Sequence, residues 1–339
     1  MQKAVFITMQ GNAQKGQPFL NKSYNAETQA LLAAQLDFLP PVFSLTDLAA
    51  RADLREADYI FSTWGMPALD EAQLAEGFPQ LKAVFYAAGT VQDFARAFFV
   101  RGVRIFCAAA ANAVPVAEFT TAQIILANKG FFAAPNLFRA GGWSSAKRHC
   151  EAQPGNYGAR VGLLGAGMIG KRVIALLRNY NLPMLVFDPF LPDETARELQ
   201  VQKAELSEIF ASCNVISNHL ANNAQTRGML NYALFSRMLP TAAFLNTGRG
   251  AQVVEMDLVR AMQEEPGRTA VLDVTDPEPP LPGHPFYSLP NVFLTPHTAG
   301  STADEVARMG EYMAAAFAAY RAGEQSELEV TLPMLETMA

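Results

Sequence analysis

Short apolar runs alternate with longer amphipathic stretches along almost the whole chain, which is the pattern of βα units built around a parallel sheet. In the first third this pattern predicts strands at AVFIT (4–8), YIFST (59–63), AVFYAA (83–88) and VRIFCA (103–108), with helices between them. From Pro115, the text PVAEFTTAQIILANKGFF (115–132) predicts a long buried helix with proline in its first turn, where proline is tolerated. The glycine-rich and polar stretch AGGWSSAKRHCEAQPGNYGA then reads as a connection to a second and cleaner run of βα units. These begin at RVGLLGAGMIG and continue through PMLVFD, NVISNHL, AAFLNTG, TAVLDV and NVFLTPH, and one more helix is predicted at 302–323. No internal repeat and no low-complexity segment interrupts the series.

At 339 residues the chain exceeds what one core usually supports, so two domains are expected. With 50% hydrophobic and 17% charged residues there is enough apolar material for packed cores and little for long disorder. A net charge of −6 without clustered Lys and Arg argues against a general nucleic-acid role, so an anionic substrate would need a local positive clamp. Cys107, Cys150 and Cys213 are scattered without paired spacing, which suggests neither disulfides nor a zinc site, and no metal is expected. The amino terminus reads as a first strand rather than a signal peptide, and no run is apolar enough to span a membrane. A cytoplasmic protein is the expectation.

The segment VGLLGAGMIGKRVIALL places Gly165, Gly167 and Gly170 directly after an apolar strand and at the head of a patterned helix. In such a loop the first glycine allows the tight turn, the second lets a pyrophosphate approach the backbone, and the third lets helix and strand pack closely. The helix start then offers free N–H groups to phosphates. Asp188, at the end of the next predicted strand, is spaced to accept hydrogen bonds from an adenosine ribose and to repel a 2′-phosphate. These residues point to NAD, and to NADH over NADPH.

Three further strand ends carry chemistry. NTGRG sets Arg249 between two glycines, where its planar fork suits a carboxylate or carbonyl oxygen. LDVTDPEPP follows, then FLTPHTAG with His297, a residue able to give and take a proton near neutral pH. Between Leu272 and Gly300 lie seven prolines, three acids and two histidines, so the backbone is stiff around few ionisable groups. If these strands share one sheet, their carboxyl ends bring Arg249, one acid and His297 to a common crevice.

In their order and spacing, VGLLGAGMIG, NTGRG, DVTDPEP and TPHTAGST resemble the D-isomer-specific 2-hydroxyacid dehydrogenases, over roughly Ala83 to the last helix. The resemblance implies an α/β fold of two Rossmann-like or flavodoxin-like lobes with parallel sheets and the active site in the cleft between them. Residues 1–111 and 304–339 would form the substrate-binding domain and 112–303 the NAD-binding domain. The catalytic arginine, glutamate and histidine fall on Arg249, Glu278 and His297. Cofactor contacts fall on Gly165, Gly167, Met168, Ile169, Gly170 and Asp188, and on His219, Thr247, Gly248 and Asp273. Trp64 and Gly65 would sit by the substrate, and Ala88, Gly89 and Thr90 would meet its carboxylate. Asp276 reads as solvated and His284 as a loop histidine.

The implied activity is NADH-dependent, reversible reduction of a small 2-keto acid to the D-2-hydroxy acid, with the glyoxylate and hydroxypyruvate branch favoured. Glu278 stands against a formate dehydrogenase, whose relatives carry an amide there. The alternative is an NAD(H)-sensing, corepressor-like protein-binding module on the same fold. A homodimer is also implied, with the 115–132 helix as a candidate contact. Three departures stand out: Met168 in place of a polar or basic residue, Val91 in place of a glycine, and no proline after His219.

Overall fold

Valine, isoleucine and phenylalanine concentrate in the short apolar runs, and in the computed structural model, which describes residues 1–336, those runs become the buried strands of two separate sheets. The end of the expected substrate-binding domain, 337–339, lies outside the described residues. The chain divides into one unit of Met1–Asn112 with the segment from Ser301 onward, and a second unit beginning at Ala113 and ending at Gly300.

In the first unit, β1 (Lys3–Ile7), β2 (Asp37–Val42), β3 (Ala57–Ser62), β4 (Ala83–Tyr86) and β5 (Arg104–Cys107) pair in parallel in the order β5-β4-β3-β1-β2. Side chains alternate between the faces of a strand, so the register stacks Phe6, Phe61, Phe85 and Phe106 as a ladder on one face. Neighbouring rings lie 4.9 Å apart for Phe85–Phe106 and 5.0 Å for Phe61–Phe85. Val5, Ile7, Ile60, Val84 and Ile105 fill the other face. The sequence pattern misses β2, because DFLPPV carries two prolines that cannot donate to a ladder; the sheet accepts them at its edge.

The second unit holds β6 (Val161–Leu164), β7 (Met184–Phe187), β8 (Gln202–Lys203), β9 (Val215–Asn218), β10 (Ala243–Asn246), β11 (Thr269–Leu272) and β12 (Val292–Leu294). All are parallel, in the order β12-β11-β10-β9-β6-β7-β8. The direction of winding reverses between β6 and β9, and the carboxyl ends of strands at such a reversal open a crevice. The predicted strands 214–220, 242–248, 269–274 and 291–297 thus share one sheet.

Two helical expectations need correction. The helix expected at 115–132 runs Ala109–Ala127, so Pro115 lies inside it rather than in its first turn. A proline there forgoes one helical hydrogen bond while its fixed φ still suits the helix. The stretch expected as a connection is mostly helix, Ala134–Glu151, broken only at Gly142, whose φ of 70° a glycine adopts freely. Its polar composition reflects exposure: Phe138 and Trp143 on it are 51% and 66% exposed.

Back in the first unit, a Thr302–Glu305 capping box opens the turn before the helix Ala307–Ala322. Gly323 ends that helix in the left-handed conformation at φ 73°. A last strand, β13 (Glu329–Val330), adds antiparallel to β5, where Arg104 grips Glu329 through two 2.6 Å bonds.

Candidate active site

Within the second unit, the turn after β6 is shaped by its glycines. Gly165 has a φ of 95°, and a Cβ there would lie 2.7 Å from the carbonyl oxygen of His219. At Gly170 a Cβ would come within 2.1 Å of the Gly165 oxygen, so only glycine lets the helix Met168–Leu177 start against the turn. Gly167, in contrast, faces open space, and no side chain caps the helix start behind it. That is a cradle with room for a pyrophosphate, and the residues fit a dinucleotide. Met168 is 48% exposed there, and Ile169 packs against the unit's core. Asp188, just past β7, accepts from the Ala166 amide at 2.8 Å and the Phe190 amide at 2.9 Å, which fixes its carboxylate beside the loop.

His219 follows β9, donating its amide to the Leu164 oxygen at 2.7 Å. Its Nε2 lies 3.0 Å from Ser217 Oγ, its Nδ1 is buried without a partner, and burial pulls its pKa down to about 4. At neutral pH the ring is therefore uncharged. Thr247 is buried after β10, its hydroxyl 3.1 Å from that of Thr120.

Arg249 sits in the turn after β10, with Nη1 bonded to the Gly248 oxygen at 2.8 Å. Burial lowers its pKa, and the charge of Glu278 raises it, so these two groups feel one another. The contact between their loops depends on Gly250: a Cβ there would lie 2.0 Å from the carbonyl carbon of Thr275. Glu278 Oε1 in turn lies 2.7 Å from His297 Nδ1, with both side chains nearly half exposed. With Nδ1 engaged, Nε2 has no hydrogen-bond partner among the described residues. The three residues expected to act together are thus brought together on one edge of the sheet.

His297 is held in a left-handed backbone conformation at φ 53°. Its amide reaches the carbonyl oxygens of Asp273 and Thr295, each at 3.0 Å. The carboxylate of Asp273, 2% exposed, accepts from Thr295 Oγ1 at 2.6 Å, the Thr298 amide at 2.8 Å and the Ala299 amide at 2.9 Å. Every one of these donors belongs to the histidine loop. Behind Glu278, Glu255 Oε1 accepts from the Asp276 amide at 2.9 Å and Oε2 lies 3.4 Å from His284 Nε2. Asp276 itself pairs with exposed Arg227 at 3.2 Å. Sequence reasoning noted Gly250 only as a flank of Arg249, without its steric role, and missed Glu255, which stands in no recognisable catalytic pattern.

The residues expected to meet the substrate belong to the first unit. Trp64 packs against its core, edge-on to Phe19, and its carbonyl takes the Thr8 hydroxyl at 2.7 Å. Gly65 has a φ of 90° and donor-acceptor contact with Met9 at 2.8 Å. Ala88 is buried, and among the described residues the amides of Gly89 and Thr90 donate no hydrogen bond. Val91 places its side chain in the core. Among the described residues no cluster could hold a metal ion, and no helix is long and apolar enough to cross a membrane.

Residues 121–299, more than half of the chain, match the family model of the D-isomer specific 2-hydroxyacid dehydrogenase NAD binding domain. A glyoxylate reductase of Korarchaeum cryptofilum is 28% identical over 257 residues, 75% of this chain and 77% of that protein. A D-3-phosphoglycerate dehydrogenase of Archaeoglobus fulgidus is 28% identical over 70% of this chain but only 44% of its own length, and a Bacillus subtilis relative is matched over 59% of its length. The chain thus spans about half the length of those two curated relatives. In fold, D-mandelate dehydrogenase of Rhodotorula graminis superposes with a TM-score of 0.80 over 98% of both chains at 16% identity.

Proposed function

Since the chain belongs to the D-isomer specific 2-hydroxyacid dehydrogenase family, we propose that it reduces a small 2-keto acid reversibly to the D-2-hydroxy acid, with glyoxylate- or hydroxypyruvate-like substrates favoured. The observation that carries this reading is the 2.7 Å Glu278–His297 contact beside an arginine that feels the same carboxylate.

NADH, when bound, supplies the hydride. The turn that Gly165 and Gly170 shape, with Gly167 facing open space, would hold its pyrophosphate, and Asp188 would take the ribose hydroxyls. Arg249 binds the keto acid and polarises its carbonyl. Glu278 fixes the His297 ring through Nδ1, so Nε2 is the atom that gives a proton to the carbonyl oxygen, and in the reverse direction takes it from the hydroxyl. Asp273 keeps the histidine loop in place. The amides of Gly89 and Thr90, which donate no hydrogen bond among the described residues, suit a carboxylate, which supports the assignment of Ala88–Thr90 to substrate binding.

The test is NADH oxidation with a panel of 2-keto acids, followed by chiral analysis of the product. A D-2-hydroxy acid is expected. Tight NADH binding with no turnover on any member of the panel would instead make the chain a nucleotide sensor.

A further inference from the structure

Three amide side chains with no part in the mechanism so far form one buried network between the catalytic arginine and the cofactor cradle. Asn218 ends β9, Asn246 ends β10 and Gln252 follows the Arg249 turn; all three are at most 1% exposed. Gln252 Nε2 donates to the carbonyl oxygens of Leu220 at 2.8 Å and Ala221 at 2.9 Å. Its Oε1 accepts from Asn218 Nδ2 at 2.6 Å and from the Arg249 amide at 3.3 Å. Asn246 holds the other side of the same turn: its Oδ1 accepts from Asn218 Nδ2 at 2.9 Å and the Gly248 amide at 3.1 Å, and its Nδ2 donates to the Arg249 oxygen at 3.1 Å.

Both backbone polar groups of Arg249 are thus tied by buried amides. At its far end the network grips the loop that begins with His219, whose amide bonds Leu164 and whose oxygen faces Gly165. Gly248 lets the network close, since a Cβ there would stand 3.0 Å from Asn218 Nδ2 and 3.1 Å from Gln252 Oε1.

We propose that Gln252 is a positioning residue for the reaction: its carboxamide locks the backbone of the Arg249 turn to the cofactor-side loop at His219–Ala221, and so sets the arginine relative to the cofactor cradle. Only a carboxamide of this length can donate to two carbonyls and accept from two N–H groups at once. An apolar side chain leaves the Leu220 carbonyl and the Arg249 amide without a partner among the described residues and takes one of two bonds from the Ala221 carbonyl and from Asn218 Nδ2, and an ionised carboxylate turns an oxygen toward two carbonyl oxygens. Buried networks of this kind fix one geometry because partial satisfaction is so costly.

The inference rests on the reading of Arg249 as the group that binds the keto acid, so Arg249→Lys is measured alongside. The experiment uses the full chain with Gln252→Met and Gln252→Glu. It records thermal melting, NADH dissociation constants by fluorescence, and kcat and KM for the best keto acid between pH 5 and 8. Loosening a turn that orients substrate should lower kcat/KM on the order of tenfold or more in the folded Met variant, with KM for the keto acid raised. For the Glu variant, the ratio of its kcat/KM to wild type should climb as pH falls, because the protonated acid regains a donor toward the two carbonyls. A merely structural role would lower the melting temperature and leave these kinetics alone.

A folded Met variant with kcat/KM and NADH dissociation constant within about twofold of wild type would overturn the proposal. If that variant does not fold, a Glu variant whose ratio to wild type stays flat with pH overturns it. Normal kinetics in Arg249→Lys would mean that the site reading itself has failed. A crippled lysine variant beside normal Gln252 variants would remove this inference alone.

Discussion

Replacing Asp273 by asparagine exchanges one carboxylate oxygen for an NH2 group and separates two roles for that residue. Its carboxylate accepts from Thr295 Oγ1, from the Thr298 amide and hydroxyl, and from the Ala299 amide. A carboxamide can keep its oxygen toward Thr295 and Thr298, but its NH2 then faces the Ala299 N–H, donor against donor. Ala299 is 3% exposed, so water cannot take over. The loss of a charge-assisted bond together with an orphaned buried amide comes to about 3 kcal/mol.

That energy is concentrated in the loop that holds His297 at a φ of 53° with its ring on Glu278. If loop order carries all of it, kcat/KM for keto-acid reduction should fall on the order of a hundredfold. The NADH dissociation constant should change little, because the observed bonds of this carboxylate all go to the histidine loop. The assay is steady-state reduction by NADH, with NADH titration by fluorescence and melting of the variant as controls. Should kcat/KM stay within threefold of wild type, the loop does not need this carboxylate. A selective rise in the NADH dissociation constant would assign Asp273 to the nicotinamide instead.

Other outcomes follow from the same geometry. Burial pulls the His219 pKa to about 4, so as pH falls the unfolded chain takes up this proton before the folded chain does. The stabilisation is present above pH 6.5 and is lost toward pH 4, by about 2 kcal/mol between pH 7 and pH 5; urea unfolding of wild type and His219→Gln should show this slope in the wild type alone, and equal slopes would refute it. Asp188 should make NADH roughly five- to thirtyfold better than NADPH in kcat/KM, since about one or two kcal/mol of repulsion meets a 2′-phosphate; equal efficiency would sink the idea. Arg249→Lys should cost far more than charge conservation suggests, because an ammonium lacks the two-point fork, and near-normal kinetics for every active keto acid would reduce Arg249 to a loop charge. We also expect a homodimer, for which exposed Phe138 and Trp143 on the helix Ala134–Glu151 offer a second candidate contact besides the 115–132 segment, where Leu126 and Phe131 are exposed; a monomeric mass at micromolar concentration would decide against it.

The sequence reveals most where one local rule decides the outcome. The turn after β6 is legible because a strand, three glycines and a helix start each have a separate steric reason, and the contacts at Gly165 and Gly170 are those reasons made visible. Strands β1 and β3 to β5 are legible as short apolar runs, whereas β2 hides behind Pro40 and Pro41, and β8 and β13 are too short to make a pattern. The helix Ala134–Glu151 is obscured because glycines and polar residues dominate its mostly exposed surface. At the site, Arg249, Glu278 and His297 stand out as chemistry at strand ends. What sets their geometry is written in residues with no chemical signature: Gly250, chosen by the backbone of Thr275, and Gln252, chosen by four backbone and amide partners from three segments. Such positions satisfy non-local partners, and one-dimensional patterns carry no record of them. Only a polar residue standing at the end of a buried strand, as Asn218 and Asn246 do, hints that an apolar side chain would have been the default and that something nearby requires an amide.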